Sequence, residues 1–183
     1  MCDKKSFQSA GQRWLLPLLL LVGMLLPLAA CDANETASTA TQTDDVTRPI
    51  ADQLQNAFNV LPDGMANQDF GEFEQYFATA EQGADEDGIN EIYTWIQELR
   101  AAGTAPAETS EYKLNEFHVT NIKASGSDAT AHISLTMSKI ADGNNADAAL
   151  AVEQDIALVQ VNGQWLISGA DKAQITDQTK APQ

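Results

Sequence analysis

The chain predicts an α+β fold: three N-terminal helices packed on one face of a curved antiparallel sheet of about four strands. Three observations carry this. Apolar residues recur at helical spacing through the first half of the folded region and at alternate positions through the second. The polarity of the strand Ala129–Ser138 alternates without a break. Asn162-Gly163 separates two apolar runs, a strong hairpin signal because both turn residues adopt positive φ. Helices first and strands afterwards place the helices as one layer over a meander.

The elements follow in order. Met1 to Arg13 is polar and basic, Trp14 to Leu28 is apolar, and Leu28-Ala29-Ala30 presents small residues before Cys31. A basic start, an apolar middle and a small-residue exit describe a secretory signal peptide over residues 1–30. The rival is a membrane-spanning helix, which needs ~20 apolar residues. Trp14 to Ala30 supplies 17, and Pro27 near the end suits an extended cleavage segment.

Leu28-Ala29-Ala30-Cys31 resembles the lipobox of bacterial lipoproteins. The resemblance implies cleavage between Ala30 and Cys31, diacylglyceryl transfer to the Cys31 sulfur and further fatty acylation (palmitate) of the new amino group. Two or more acyl chains hold a protein stably to a bilayer where one does so only marginally. Asp32 resembles the residue that retains lipoproteins in the inner membrane of enteric bacteria, which favours the inner over the outer membrane. The expected address is the bacterial cell envelope, facing the periplasm.

Residues 31–45 read as the anchor cysteine and a flexible tether. Ala33–Thr43, "ANETASTATQT", holds no large apolar residue and cannot order itself by burial. The domain is expected over 46–171. Thr47 is placed to cap its first helix, with Pro49 in the first turn. Ile50, Leu54, Ala57, Phe58 and Leu61 form one stripe, and Pro62-Asp63-Gly64 is the expected end. Asp69 is placed to cap a second helix carrying Phe70, Phe73, Tyr76 and Phe77. The third runs from Asp87 to Ala102, with Ile89, Ile92, Tyr93, Ile96 and Leu99 inward and Gly103 as its stop. Strands are expected at Glu111–Lys123, Ala129–Ser138, Leu150–Val161 and Gln164–Gly169. Residues 172–183 read as a frayed, disordered tail.

This element order, with the closing hairpin "VQVNGQWLISG", resembles the nuclear transport factor two-like (cystatin-like) α+β cone. The resemblance implies a sheet curved around an interior in which the superfamily's enzymes place acid/base residues.

Composition limits the function classes. Loss of residues 1–30 removes three of ten basic residues and one of 26 acidic ones, leaving a formal charge of −18. So acidic a surface repels nucleic acid. Cys2 falls in the leader and Cys31 at the anchor, so the domain has neither a disulfide nor a cysteine-based zinc site. No GxSxG elbow, phosphate loop or dinucleotide fingerprint is present. No catalytic residue, metal or cofactor is assigned. "GADEDGIN" offers Asp85, Asp87 and Gly88 to an EF-hand frame, but Gly83 and Thr94 then occupy the first and twelfth positions, which require carboxylates. A helix start is the better reading.

His118 and His132, on neighbouring strands, are the pocket candidates, with Asp155 and the nearby Glu116 and Glu153 as carboxylate partners. Imidazole beside carboxylate serves a metal site or an acid/base pair, yet histidines on a polar strand face are more often plain surface residues. Trp165 and the Phe70/Phe73/Phe77 set read as core. The function expected is that of a membrane-anchored, non-catalytic binding or accessory module whose partner is an envelope protein or a small molecule. The alternative is an acid/base enzyme using a pocket inside the cone.

Overall fold

The computed structural model describes residues 43–141 and 145–180. The expected leader, Cys31, Asp32 and residues 31–42 of the expected tether lie outside them. The architecture is α+β: helices α1 (Thr43–Asn67), α2 (Gly71–Glu74) and α3 (Glu86–Ala101) precede strands β1 (Glu111–Ser125), β2 (Asp128–Ile140), β3 (Ala146–Val161), β4 (Gln164–Ala170) and β5 (Gln174–Asp177). The sheet is an antiparallel meander in the order β1-β2-β3-β4, and β5 also pairs with β3. Among the described residues no helix is long and apolar enough to cross a membrane.

Helix α1 differs from expectation at both ends. It begins at Thr43, inside the expected tether and ahead of Thr47, and it continues through Pro49 and Pro62. Met65 explains the second extension. It continues the buried stripe four residues beyond Leu61 and is fully enclosed, like Ile50, Leu54, Ala57 and Phe58. The helix stops where Gln68 adopts φ 55° and the Asp69 amide donates to Gly64 O at 3.0 Å. That six-to-one bond is the Schellman ending, with glutamine in the position glycine usually takes.

The second helix is a single turn. Its N-cap position is Phe70 and not the expected Asp69, which stands one residue ahead and accepts from the Gly71 amide through Oδ1 at 3.0 Å. Tyr76 and Phe77 leave the helix and run along the free edge of β4. The Ile167 amide donates to Tyr76 O and the Ala78 amide to Ile167 O, both at 2.8 Å. The edge of β4 is a stronger claim on these residues than the helix, which Gly71 weakens.

Helix α3 lies one residue earlier at each end than its expected span and stops before Gly103, at φ 77°, as expected. Trp95, read as widening its stripe, is fully buried, whereas Ile89 and Tyr93 are half-buried. Gly88 has a packing role: a Cβ there would stand 2.7 Å from the Ala170 amide nitrogen, so glycine lets the first turn of α3 lie against the end of β4. Asp85 is the N-cap residue, as the helix-start reading of "GADEDGIN" anticipates.

The strands extend beyond their expected limits, and β1 is bulged twice. Its inward residues are Tyr112, Leu114, Phe117, Val119 and Ile122, spaced two, three, two and three. Each spacing of three coincides with a register shift against β2, at Asn115 and at Asn121, whose φ is 52°. A bulge adds one residue so that alternation resumes on the correct face. The expected disordered tail is corrected as well: Gln174–Asp177 forms β5 opposite Leu150–Glu153, while β4 pairs with Ile156–Val161 farther along β3. The one large apolar residue in this segment, Ile175, packs against the core, too small a periodic signal to read in advance.

Two polar side chains lie on the inner face of the sheet. Lys139 is 1% exposed, and Nζ donates to Arg100 O (2.8 Å), Ala102 O (2.7 Å) and Ala105 O (2.7 Å). Its three N–H groups are therefore satisfied by the end of α3 and the loop beyond it. Asp147 holds the same loop from the other side. Oδ2 accepts from the Thr104 and Ala105 amides at 2.8 and 2.9 Å, and Oδ1 from Thr104 Oγ1 at 2.8 Å. Gln154 accepts from Trp95 Nε1 at 3.2 Å and donates to Asp171 O at 2.8 Å.

Replacing Lys139 with Met strands three carbonyls, and urea denaturation is expected to show a loss of roughly 3 kcal/mol. The hydrogen bonds from Ala105 and Thr104 hold the Asp147 carboxyl below its ordinary range. Its contribution to stability is fully present above about pH 4 and disappears as pH falls through the depressed folded value. The unfolding free energy of Asp147→Asn should therefore fall less steeply than wild type between about pH 6 and about pH 2. Parallel acid limbs would contradict this.

Candidate functional site

The space between helices and sheet is occupied by rings. Phe58 stacks on Phe117 (5.0 Å between centroids) and on Trp95 (6.3 Å) and meets Phe73 edge-on at 5.7 Å. Phe73 and Trp165 are buried, and Phe70 and Phe77 pack partly buried against the core, in accord with their reading as core. Tyr93 closes this side. Its hydroxyl donates to Glu74 Oε1 at 3.2 Å, and burial, reinforced by that carboxylate, raises the phenol well above its usual range.

Both histidines lie on the opposite, outer face. Alternation along β2 sends Ala131, Ile133 and Leu135 inward and leaves His132, Ser134 and Thr136 outward. The register pairs neither histidine with the other. His118 is paired with Ser134, and His132 with Thr120 on one side and Asp155 on the other. The bulges in β1 set this offset. Glu116 aligns with Thr136 and Glu153 with Ser134, so these carboxylates share a shallow hollow of 140 Å³ with His118.

His132 and Asp155 do come together. Nδ1 lies 2.8 Å from Asp155 Oδ1, with the two side chains 31% and 61% exposed. That exposure makes the pair a minor term in stability. Its consequence is orientation: a carboxylate at Nδ1 fixes the ring and leaves Nε2 for other partners. The pair borders a hollow of 420 Å³ lined by Asn121, Lys123, Thr130, His132, Asp155 and Asp171. A second hollow of 160 Å³, shared between Thr130, Asp155 and Asp171, reaches Asp85 and Ser168.

Lys123, Asn121 and Asp171 were not among the sequence candidates. Asp171 sits between β4 and β5, where its amide donates to Asp155 O (2.9 Å) and its carbonyl accepts from Gln154, which brings it to the pair. Asn121 and Lys123 arrive through the bulge. Among the described residues no group of three or more His, Cys, Asp or Glu side chains is arranged to hold a metal.

No family model and no curated protein matches the chain. Several solved structures are similar to it, two of them as follows. One is a nuclear transport factor two-like protein of unknown function from Shewanella baltica, 16% identical with a TM-score of 0.37, over 68% of this chain and 94% of that one. The other is a proposed aromatic ring hydroxylase from Novosphingobium aromaticivorans, 13% identical with a TM-score of 0.40, over 73% of this chain and 94% of that one.

In Asp155→Asn the ring loses its anionic acceptor. The ¹⁵N spectrum of neutral His132 should move from the Nδ1–H tautomer towards Nε2–H. An unchanged tautomer ratio would show that the carboxylate does not orient the ring.

Proposed function

We propose that this protein is a lipid-anchored envelope protein facing the periplasm, whose α+β domain acts as a non-catalytic binding or accessory module. The observation that carries the non-catalytic part is the filled interior. Phe58, Trp95 and Phe73 occupy the space beneath the sheet, and both histidines stand on the other face. An acid/base enzyme with its pocket inside the cone, the alternative expected from sequence, draws no support from this placement.

The anchor rests on the lipobox resemblance at Leu28–Cys31 and on the Ala/Thr-rich segment behind it. The inner membrane is favoured by Asp32. The module works on a small molecule or an envelope protein, and its acidic surface disfavours nucleic acid.

Cys31→Ala is expected to abolish incorporation of labelled palmitate and to release the chain from the membrane fraction. Retained label or retained sedimentation would refute the anchor. From detergent-solubilised envelope, the wild-type chain should capture a specific partner or ligand; repeated empty captures would refute the module.

A further inference from the structure

The 420 Å³ hollow on the outer face has walls of opposite charge. Lys123 and Asn121 stand on β1, His132 and Thr130 form the floor on β2, and Asp155 and Asp171 stand at β3 and beyond β4. β1 and β3 are separated by two strand spacings, roughly 10 Å. Asp155 is already engaged by His132. The Lys123 ammonium and the Asp171 carboxylate make no hydrogen bond or ion pair among the described residues.

We infer that this hollow binds a small zwitterion of the α-amino acid type, its carboxylate towards Lys123 and Asn121 and its ammonium towards Asp171 and Asp155. The inference rests on the reading of the domain as a binding module. A simple anion would meet two carboxylates within an already acidic surface, and a simple cation would face Lys123. Only a ligand carrying both signs a short distance apart satisfies both walls, with charge-assisted contacts of about 2.8 Å at each end. His132, held by Asp155, keeps Nε2 available to the ligand from the floor. The volume lies within the range of small-molecule sites, roughly 300–1,000 Å³.

The test is an amide-shift titration of the ¹⁵N-labelled full chain in detergent micelles with L-alanine, acetate and ethylammonium as separate probes. L-Alanine should shift the amides of Asn121, Lys123, His132, Asp155 and Asp171 saturably. Acetate or ethylammonium alone should bind at least tenfold more weakly. Lys123→Ala and Asp171→Asn, both at exposed positions, should each weaken L-alanine at least fivefold. Absence of a saturable response at these amides, an equal response to a single-charge probe, or unchanged affinity in both variants would overturn the inference. A null titration beside a specifically captured envelope partner would remove this ligand and leave the module reading standing.

Discussion

The structure depends on covering the inner face of a long, curved sheet with two helices, and Phe58 is where that cover closes. Its ring touches Phe73 of α2, Trp95 of α3 and Phe117 of β1, so one side chain of α1 joins the helical layer to the sheet. Aromatic side chains bury large areas, and these offset and edge-on arrangements add to what area alone provides. The described domain has no disulfide, so packing has to hold it together. Among the described residues the same packing sets these rings between the helices and the sheet, while His118, His132 and Asp155 stand on the sheet's other side.

The buried polar groups complete this cover. A helix ends with unpaired carbonyls, and the loop after α3 would leave several of them against the core. Lys139 reaches them from beneath, on the inward side of β2, while Asp147 gathers the amides of the same loop. Gln154 links the indole of Trp95 to the segment leaving β4. Each polar atom so placed has a direction, which fixes how α3 sits along the sheet more narrowly than apolar contact would.

Much of the fold was legible because its signals are local. The alternation of Ala131, Ile133, Leu135 and Met137, the stripe of α3 and the Asn162-Gly163 turn each rest on a few neighbouring residues, and the turn has positive φ at both positions. What was missed depends on distant partners. Proline at 62 reads as a stop until Met65 is seen to be enclosed. Gln174–Asp177 reads as a tail until the unpaired edge of β3 at Leu150–Glu153 is known. The site is the clearest case. His132 and Asp155 were chosen on residue type, and their meeting follows from strand register. Lys123 and Asp171 join them only through a bulge and a chain return. The spacing of two, three, two and three in β1 was present in the sequence all along and encodes both bulges.

Those bulges also bear on self-association. β1 closes one side of the sheet, and a straight strand of 15 residues there would offer its outward amides and carbonyls as a template for another chain. Asn115 and Asn121 break that template into short pieces, the middle one only Glu116–Thr120, and charged neighbours such as Lys113 and Lys123 discourage docking on either side. A chain crowded side by side with its copies on a two-dimensional surface would thereby stay free of cross-β growth.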